Sequence, residues 1–415
     1  MTTSTSSSKI FLALFFCFYT LVSANAQTSG FLKNQIPDDT TNQKLNMDAS
    51  YNRPFLASVK LPIAIGGYLE ANTQYAQTDG VSDGFSFQFR RMTLFLSSTI
   101  AKKIKFLSEI EFEDGTKEIN IEYAAMDIEF HPLLNLRGGI IINPIGSFNQ
   151  NHDGPKWDFI DRPISSTTII PATFSSAGFG LYGKYFSHGW TLGYEAYLTN
   201  GFDDKIISNE ENRTSLAAGK MNIEKFEESN SGLPMFTGKM SIRNRKIGEF
   251  GLSYMTGVFN KWKEDGLILD VKRSVSTLAV DFSTSQLVNR LSITAELASV
   301  FVDVPESYSQ QFGSQQFGGF IDFVGTIAQH KMFDWENAKL NLVLRLEYAD
   351  YNYGTFKETG GSIADDIWAI VPGMAFRPLG TTVLRFNYRY QQHRDLLGNP
   401  PSKTGIIQFG FSSYF

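Results

Sequence analysis

The sequence predicts an all-β fold: a transmembrane antiparallel up-and-down β-barrel of about sixteen strands, with an inward-folded loop after strand 5. Three observations carry this expectation. Beyond residue 26 no stretch approaches the roughly 18 to 20 consecutive apolar residues that a spanning helix needs, yet 14% of the chain is aromatic while mean hydropathy is -0.16. Short segments alternate apolar and polar residues with a period of two, which gives each strand one greasy and one wet face. The connections between segments sort by parity into short and long, as they do in barrels whose two ends meet different sides of a bilayer.

The chain opens with one charge, Lys9, an apolar run over 10–22 and the small residues Ser23-Ala24-Asn25-Ala26. This is the pattern of a secretory signal peptide over 1–26, cleaved after Ala26. Cys17 lies inside it, so disulfides do not hold the mature chain together. Residues 27–60 are polar and aperiodic and predict a flexible periplasmic leader. No composition break divides 61–415, which reads as one outer-membrane barrel.

Strands are expected at 63–77, 85–100, 104–114, 118–130, 134–146, 177–186, 189–202, 234–245, 247–260, 271–286, 289–304, 315–329, 337–352, 365–379, 381–395 and 401–415. Many match the roughly 9 to 11 residues with which a tilted strand crosses a bilayer. In the second, Phe85, Phe87 and Phe89 alternate with Ser86, Gln88 and Arg90. Arg91 then falls on the lipid side, where Arg costs about 2 to 4 kcal/mol at the midplane. A β-bulge at Arg90-Arg91 turns both inward and returns Met92, Leu94 and Leu96 to lipid. Even connections are mostly tight, 330–336 being the exception; odd ones are polar or long, 77–84 included, and only 115–117 is short.

Inward positions collect the charge. Glu109, Glu111, Glu113 and Glu122, with Asp127 and Glu129 past an irregularity near Ala124-Ala125, make one wall acidic, while Arg90, Arg91, Arg345, Arg385 and Arg389 make the opposite side basic. These are the expected pore-lining residues. Opposed walls set up a transverse field that orients dipolar solutes; the bland alternative is local pairing, Arg90 with Glu109 for instance. Loop 147–176 is the longest connection of the first half, is stiffened by prolines, and carries His152, Asp153, Lys156, Asp158, Asp161 and Arg162 as candidate constriction residues; an outer lid or a subunit contact is the alternative.

A net charge of -5 without a basic cluster argues against nucleic acid. The five histidines show no metal-ligand spacing, no cofactor motif is present, and His152-Asp153 and His393-Arg394-Asp395 lack a triad signature. The expected partners are outer-membrane lipid and small hydrophilic solutes or inorganic ions. A barrel hydrolase, and a surface receptor or adhesin with a closed barrel, are the competing readings.

Phe89-Arg90-Arg91, then Leu107 through Gly115, Asn135-Leu136-Arg137-Gly138-Gly139, Asn143-Pro144-Ile145-Gly146 and Trp157 through Arg162, with Gly178-Phe179-Gly180 beyond, resemble in order and spacing the phosphate-selective porin O and P family. The resemblance implies a sixteen-strand passive channel that assembles as a homotrimer, with phosphate or other anions among its solutes.

Overall fold

The computed structural model describes residues 45–51, 53–54 and 63–415 other than 102, 221 and 309. The expected signal peptide lies outside the described residues. Strands β1 (Ala64–Thr78) through β9 (Gly248–Val258) and β12 (Ser274–Val288) through β18 (Ser402–Tyr414) form a closed antiparallel barrel of sixteen strands, each paired with its sequence neighbours, with β1 closing on β18. Two further two-residue strands, β10 (Lys263–Glu264) and β11 (Leu267–Ile268), make a small hairpin within one loop.

The alternation places side chains as expected. Phe85 and Phe87 are 76% and 86% exposed on the outer surface, whereas Arg91, Thr93 and Phe95 are buried inside. In β2 (Val81–Ala101), Glu70 of β1 stands opposite Arg91 and Ala71 opposite Phe89, so the ladder skips Arg90 and the bulge is real. A second bulge lies in β4 (Glu118–His131): Glu109 faces Tyr123 and Ile110 faces Ile121, leaving Glu122 as the extra residue. It comes two residues before the expected irregularity, and it is what lets Glu122 and Tyr123 both be buried.

Parity holds more strictly than expected at one end. The even connections are two or three residues, among them Pro132-Leu133, His188-Gly189 and Asn289-Arg290. The long turn expected over 330–336 is only Phe333-Asp334, with Phe333 in the left-handed region at φ 52°. At the other end the loop expected over 77–84 is the two-residue turn Asp79-Gly80, with Thr78 paired to Val81; both turn residues have positive φ, which an Asp-Gly pair accepts at little cost. The remaining odd connections include 143–174, 200–234 and 259–273. Strand β5 (Leu134–Ile142) stops four residues short of its expected end, because Asn143 leaves the ladder to begin the long loop.

Two features differ from a lumen filled with water. At the long-loop end, Ile145, Ile169, Phe174, Phe202, Ile206 and Leu216 of two loops pack on inward Met235, Met255, Val275 and Val300, with the Phe174 and Phe202 rings stacked at 4.7 Å. Wall positions are apolar there because the loops supply apolar partners. Residues 45–54, within the stretch expected to be a flexible leader, contain a 3-10 helix, Asn46–Tyr51, with Leu45, Met47 and Ala49 buried. Leu45 and Met47 occupy the space over Gly193 of β7 (Trp190–Thr199), where a Cβ would come within 2.3 Å of Leu45 Cδ1.

Candidate functional site: the charged lumen

Segment 143–174 is held by inward side chains from strands on opposite sides of the ring. Glu296 of β13 (Leu291–Val302) accepts from the backbone N–H of Ser147 (2.6 Å) and Phe148 (2.9 Å), and from the Ser166 hydroxyl (2.9 Å). Glu109 of β3 (Ile104–Glu113), eight places away among the sixteen strands, meets His152 Nε2 at 3.3 Å. Between them Glu347 accepts from Ile164 N and Asn387 from Ile160 N, while Arg345 and Arg385 donate to the carbonyls of Asp161 and Phe159. A loop away from solvent leaves backbone groups to satisfy. Here the barrel wall satisfies them, which fixes the loop's path.

All of the expected pore-lining residues but Glu122 are brought into ion pairs. Arg90 does not reach Glu109; as the bulge residue it turns to Asp161, 2.5 Å away, and Asn72. Arg91 lies 3.3 Å from each of Glu70, Glu111 and Glu113. Arg345 makes a two-pronged pair with Asp322 at 2.6 and 2.7 Å, Arg385 binds Glu70 at 2.8 Å, and Arg389 binds Glu347 at 2.7 Å. Glu122 is buried beside Glu111 and Glu113 and makes no ion pair among the described residues. Of the loop residues, Asp158 pairs with Arg377 at 2.7 Å, Lys156 with Asp153 at 3.2 Å, and Arg162 approaches Glu111 at 3.9 Å. Positive and negative groups are thus interleaved through the loop.

Several members of this network carry no special mark in the sequence. Arg137 and Glu195 join the expected Asp127 in one buried cluster, and Lys239 pairs with Asp281. These sit at inward strand positions, so alternation alone could have found them. Arg53 could not be found that way: in an aperiodic stretch, it binds Glu109 at 2.7 Å and Asp153 at 2.8 Å with its side chain wholly buried.

Electrostatics follow from this crowding. Burial raises the Asp153 carboxyl, but Arg53 and Lys156 outweigh it and hold the group well below the usual carboxylate range. Burial likewise opposes charging of His152, while Glu109 raises it above the ordinary imidazole value. Asp161, against burial, is lowered to about 2 by Arg90 and Arg389. Glu109, His152 and Asp153 could offer one ligand atom each to a metal ion, as could Glu111, Glu113 and Glu122; the Arg53 guanidinium already lies against the first set. Both ring nitrogens of His152 are engaged, by Asn149 O and Glu109, so the ring has none left for a hydroxyl nucleophile. His393 lies 3.9 Å from Asp365. Beneath the loop, a cavity of about 360 Å³ is lined by groups including Lys156, Asp158, Asp322, Lys339, Asn341 and Arg377.

A closed sixteen-strand barrel with an aromatic outside and charged inside has the fold of the outer-membrane porins. The outer membrane channel DcaP of Acinetobacter baumannii superposes with a TM-score of 0.51 (13% identity; 85% of this chain, 97% of that one). OprB of Pseudomonas putida gives 0.53 (9%; 85% and 94%), and Salmonella typhi OmpF, in complex with daunomycin, gives 0.52 (10%; 85% and 98%). No family model matches the chain. An uncharacterized protein of Aquifex aeolicus (strain VF5) is 30% identical over 363 residues, 81% of this chain and 74% of its own length, and the chain belongs to the same family as that protein.

Proposed function

We propose that the protein is an integral porin of the bacterial outer membrane, a homotrimeric passive channel for ions and small hydrophilic solutes. The observation that carries this reading is the sorting of one closed sheet into an exposed apolar face and an enclosed charged face, which suits lipid outside and water inside. Segment 143–174 is the constriction: His152, Asp153, Lys156, Asp158, Asp161 and Arg162 narrow the path, and the 360 Å³ cavity beneath them is its vestibule. Phosphate or other anions are the solutes that the family resemblance adds, and Lys156, Lys339 and Arg377 are the cations that would meet them there. Since the predicted arginines all contact carboxylates, selectivity between cations and anions is weak.

Reconstitution into a planar bilayer tests this. Stepwise current with a reversal potential near zero in a salt gradient is expected, and block of chloride current by added phosphate would mark phosphate as a solute. A purified, folded barrel that gives no steps would overturn the channel reading and favour a closed barrel acting as a receptor. The apolar packing at the long-loop end is the observation behind that second reading.

A further inference from the structure

One buried charged pocket inside the barrel is filled by the chain itself. Arg53 Nε and Nη2 donate to the two oxygens of Asp153 at 3.0 and 2.8 Å, and Nη2 also donates to Glu109 at 2.7 Å. The guanidinium carbon stands 3.9 Å above the centre of the Phe95 ring. Tyr414 donates to Asp153 at 2.6 Å and fixes that carboxylate's position. A planar two-pronged carboxylate, a second carboxylate at the edge and an aromatic face beneath are the three elements that recognise a guanidinium rather than a compact ammonium or metal ion. They come from β2, β3, β18 and the long loop, so the pocket exists independently of the segment that fills it.

We propose that this is a guanidinium-binding site of the channel, that Arg53 is its resting occupant, and that a solute bearing a guanidinium group competes for it and displaces Arg53 and the Asn46–Tyr51 helix from the lumen. The seat of Arg53 is incomplete among the described residues: Nη1 is buried there without a hydrogen-bond partner, which keeps the segment replaceable. The same segment borders the vestibule through Asn46, so its release widens the path. Access along the lumen rests on the porin reading; the binding chemistry does not.

The test uses the full barrel and guanidinium chloride as probe, with sodium chloride at equal ionic strength as control. Calorimetry in detergent is expected to show Arg53→Ala binding guanidinium at least ten times more tightly than wild type, with the gain lost in Arg53→Ala/Asp153→Asn. In bilayers, guanidinium should produce brief current blocks in Arg53→Ala at concentrations at least ten times lower than it needs in wild type. Gly193→Leu, which crowds Leu45 and Met47 without touching the pocket, should reproduce the gain if Arg53→Ala assembles poorly. Equal guanidinium affinity in wild type, Arg53→Ala and Gly193→Leu, or a gain that survives in Arg53→Ala/Asp153→Asn, overturns the proposal. Calorimetric binding without any conductance would instead overturn the porin reading and leave the site standing.

Discussion

Arg345 is 1% exposed, grips Asp322 with two hydrogen bonds and lies 4.2 Å over the Phe159 ring. Removing one partner of a buried pair strands the other, at a cost of about 3 to 5 kcal/mol. Arg345→Ala should therefore lower the denaturant midpoint of the barrel strongly, while Arg345→Ala/Asp322→Ala should recover most of the loss. The loop's titratable groups give pH windows of opposite sign. The folded-state value of His152 is raised, so its contribution is complete below about pH 6.5 and is lost as pH climbs through the raised value. Asp161 is lowered to about 2, so its contribution is complete above about pH 4 and disappears as pH falls toward 2. Unfolding midpoints measured across both windows should lose the alkaline slope in His152→Gln and the acid slope in Asp161→Asn.

At the scale of the strand, the β2 bulge yields a prediction about chain length. Phe85, Phe87 and Phe89 face outward up to the bulge and Met92, Leu94 and Leu96 beyond it, so deleting one of Arg90-Arg91 joins the two alternating runs in phase. That deletion should still give a heat-modifiable, assembled barrel, less stable by about 1.5 to 3 kcal/mol for each charged hydrogen bond lost. Deleting Leu107 from unbulged β3 turns Ser108 through Glu113 to the wrong face and should abolish assembly. Such phase arguments explain what was legible beforehand: a period of two is local, and Phe85 through Leu96 display it without any tertiary knowledge. Turns were read less well. Asp79-Gly80 was hidden by polar neighbours, although Asp-Gly is a strong hairpin signal, and Phe333 was not recognised as a turn residue because apolar residues seldom take positive φ. The site was least legible. Glu109 and Asp153 could be singled out, but their partner Arg53 sits 56 and 100 residues away in a stretch with no period to place it.

For the whole molecule the decisive event is closure, since an open sixteen-strand sheet leaves two edges of unpaired backbone. Strand β1 meets β18 from Tyr68 opposite Tyr414 to Thr78 opposite Thr404, and Gly67 and Phe415 exchange both backbone bonds at 3.1 and 3.0 Å. Gly67 is required there: a Cβ would stand 2.2 Å from Thr93 O and 2.7 Å from the Phe415 ring. Tyr414 points the other way, into the cluster of Tyr68 and Phe95 and onto Asp153. The last two residues therefore serve separate ends, one the outer seam and one the inner site. Tyr414→Phe should assemble normally and lose about 1.5 to 3 kcal/mol for the hydrogen bond to Asp153. Truncation after Ser413 removes the seam's final bonds as well and should reduce the heat-modifiable fraction itself. If the truncation instead loses only stability, the ladder from Leu69 opposite Ser413 to Thr78 opposite Thr404 is enough for closure.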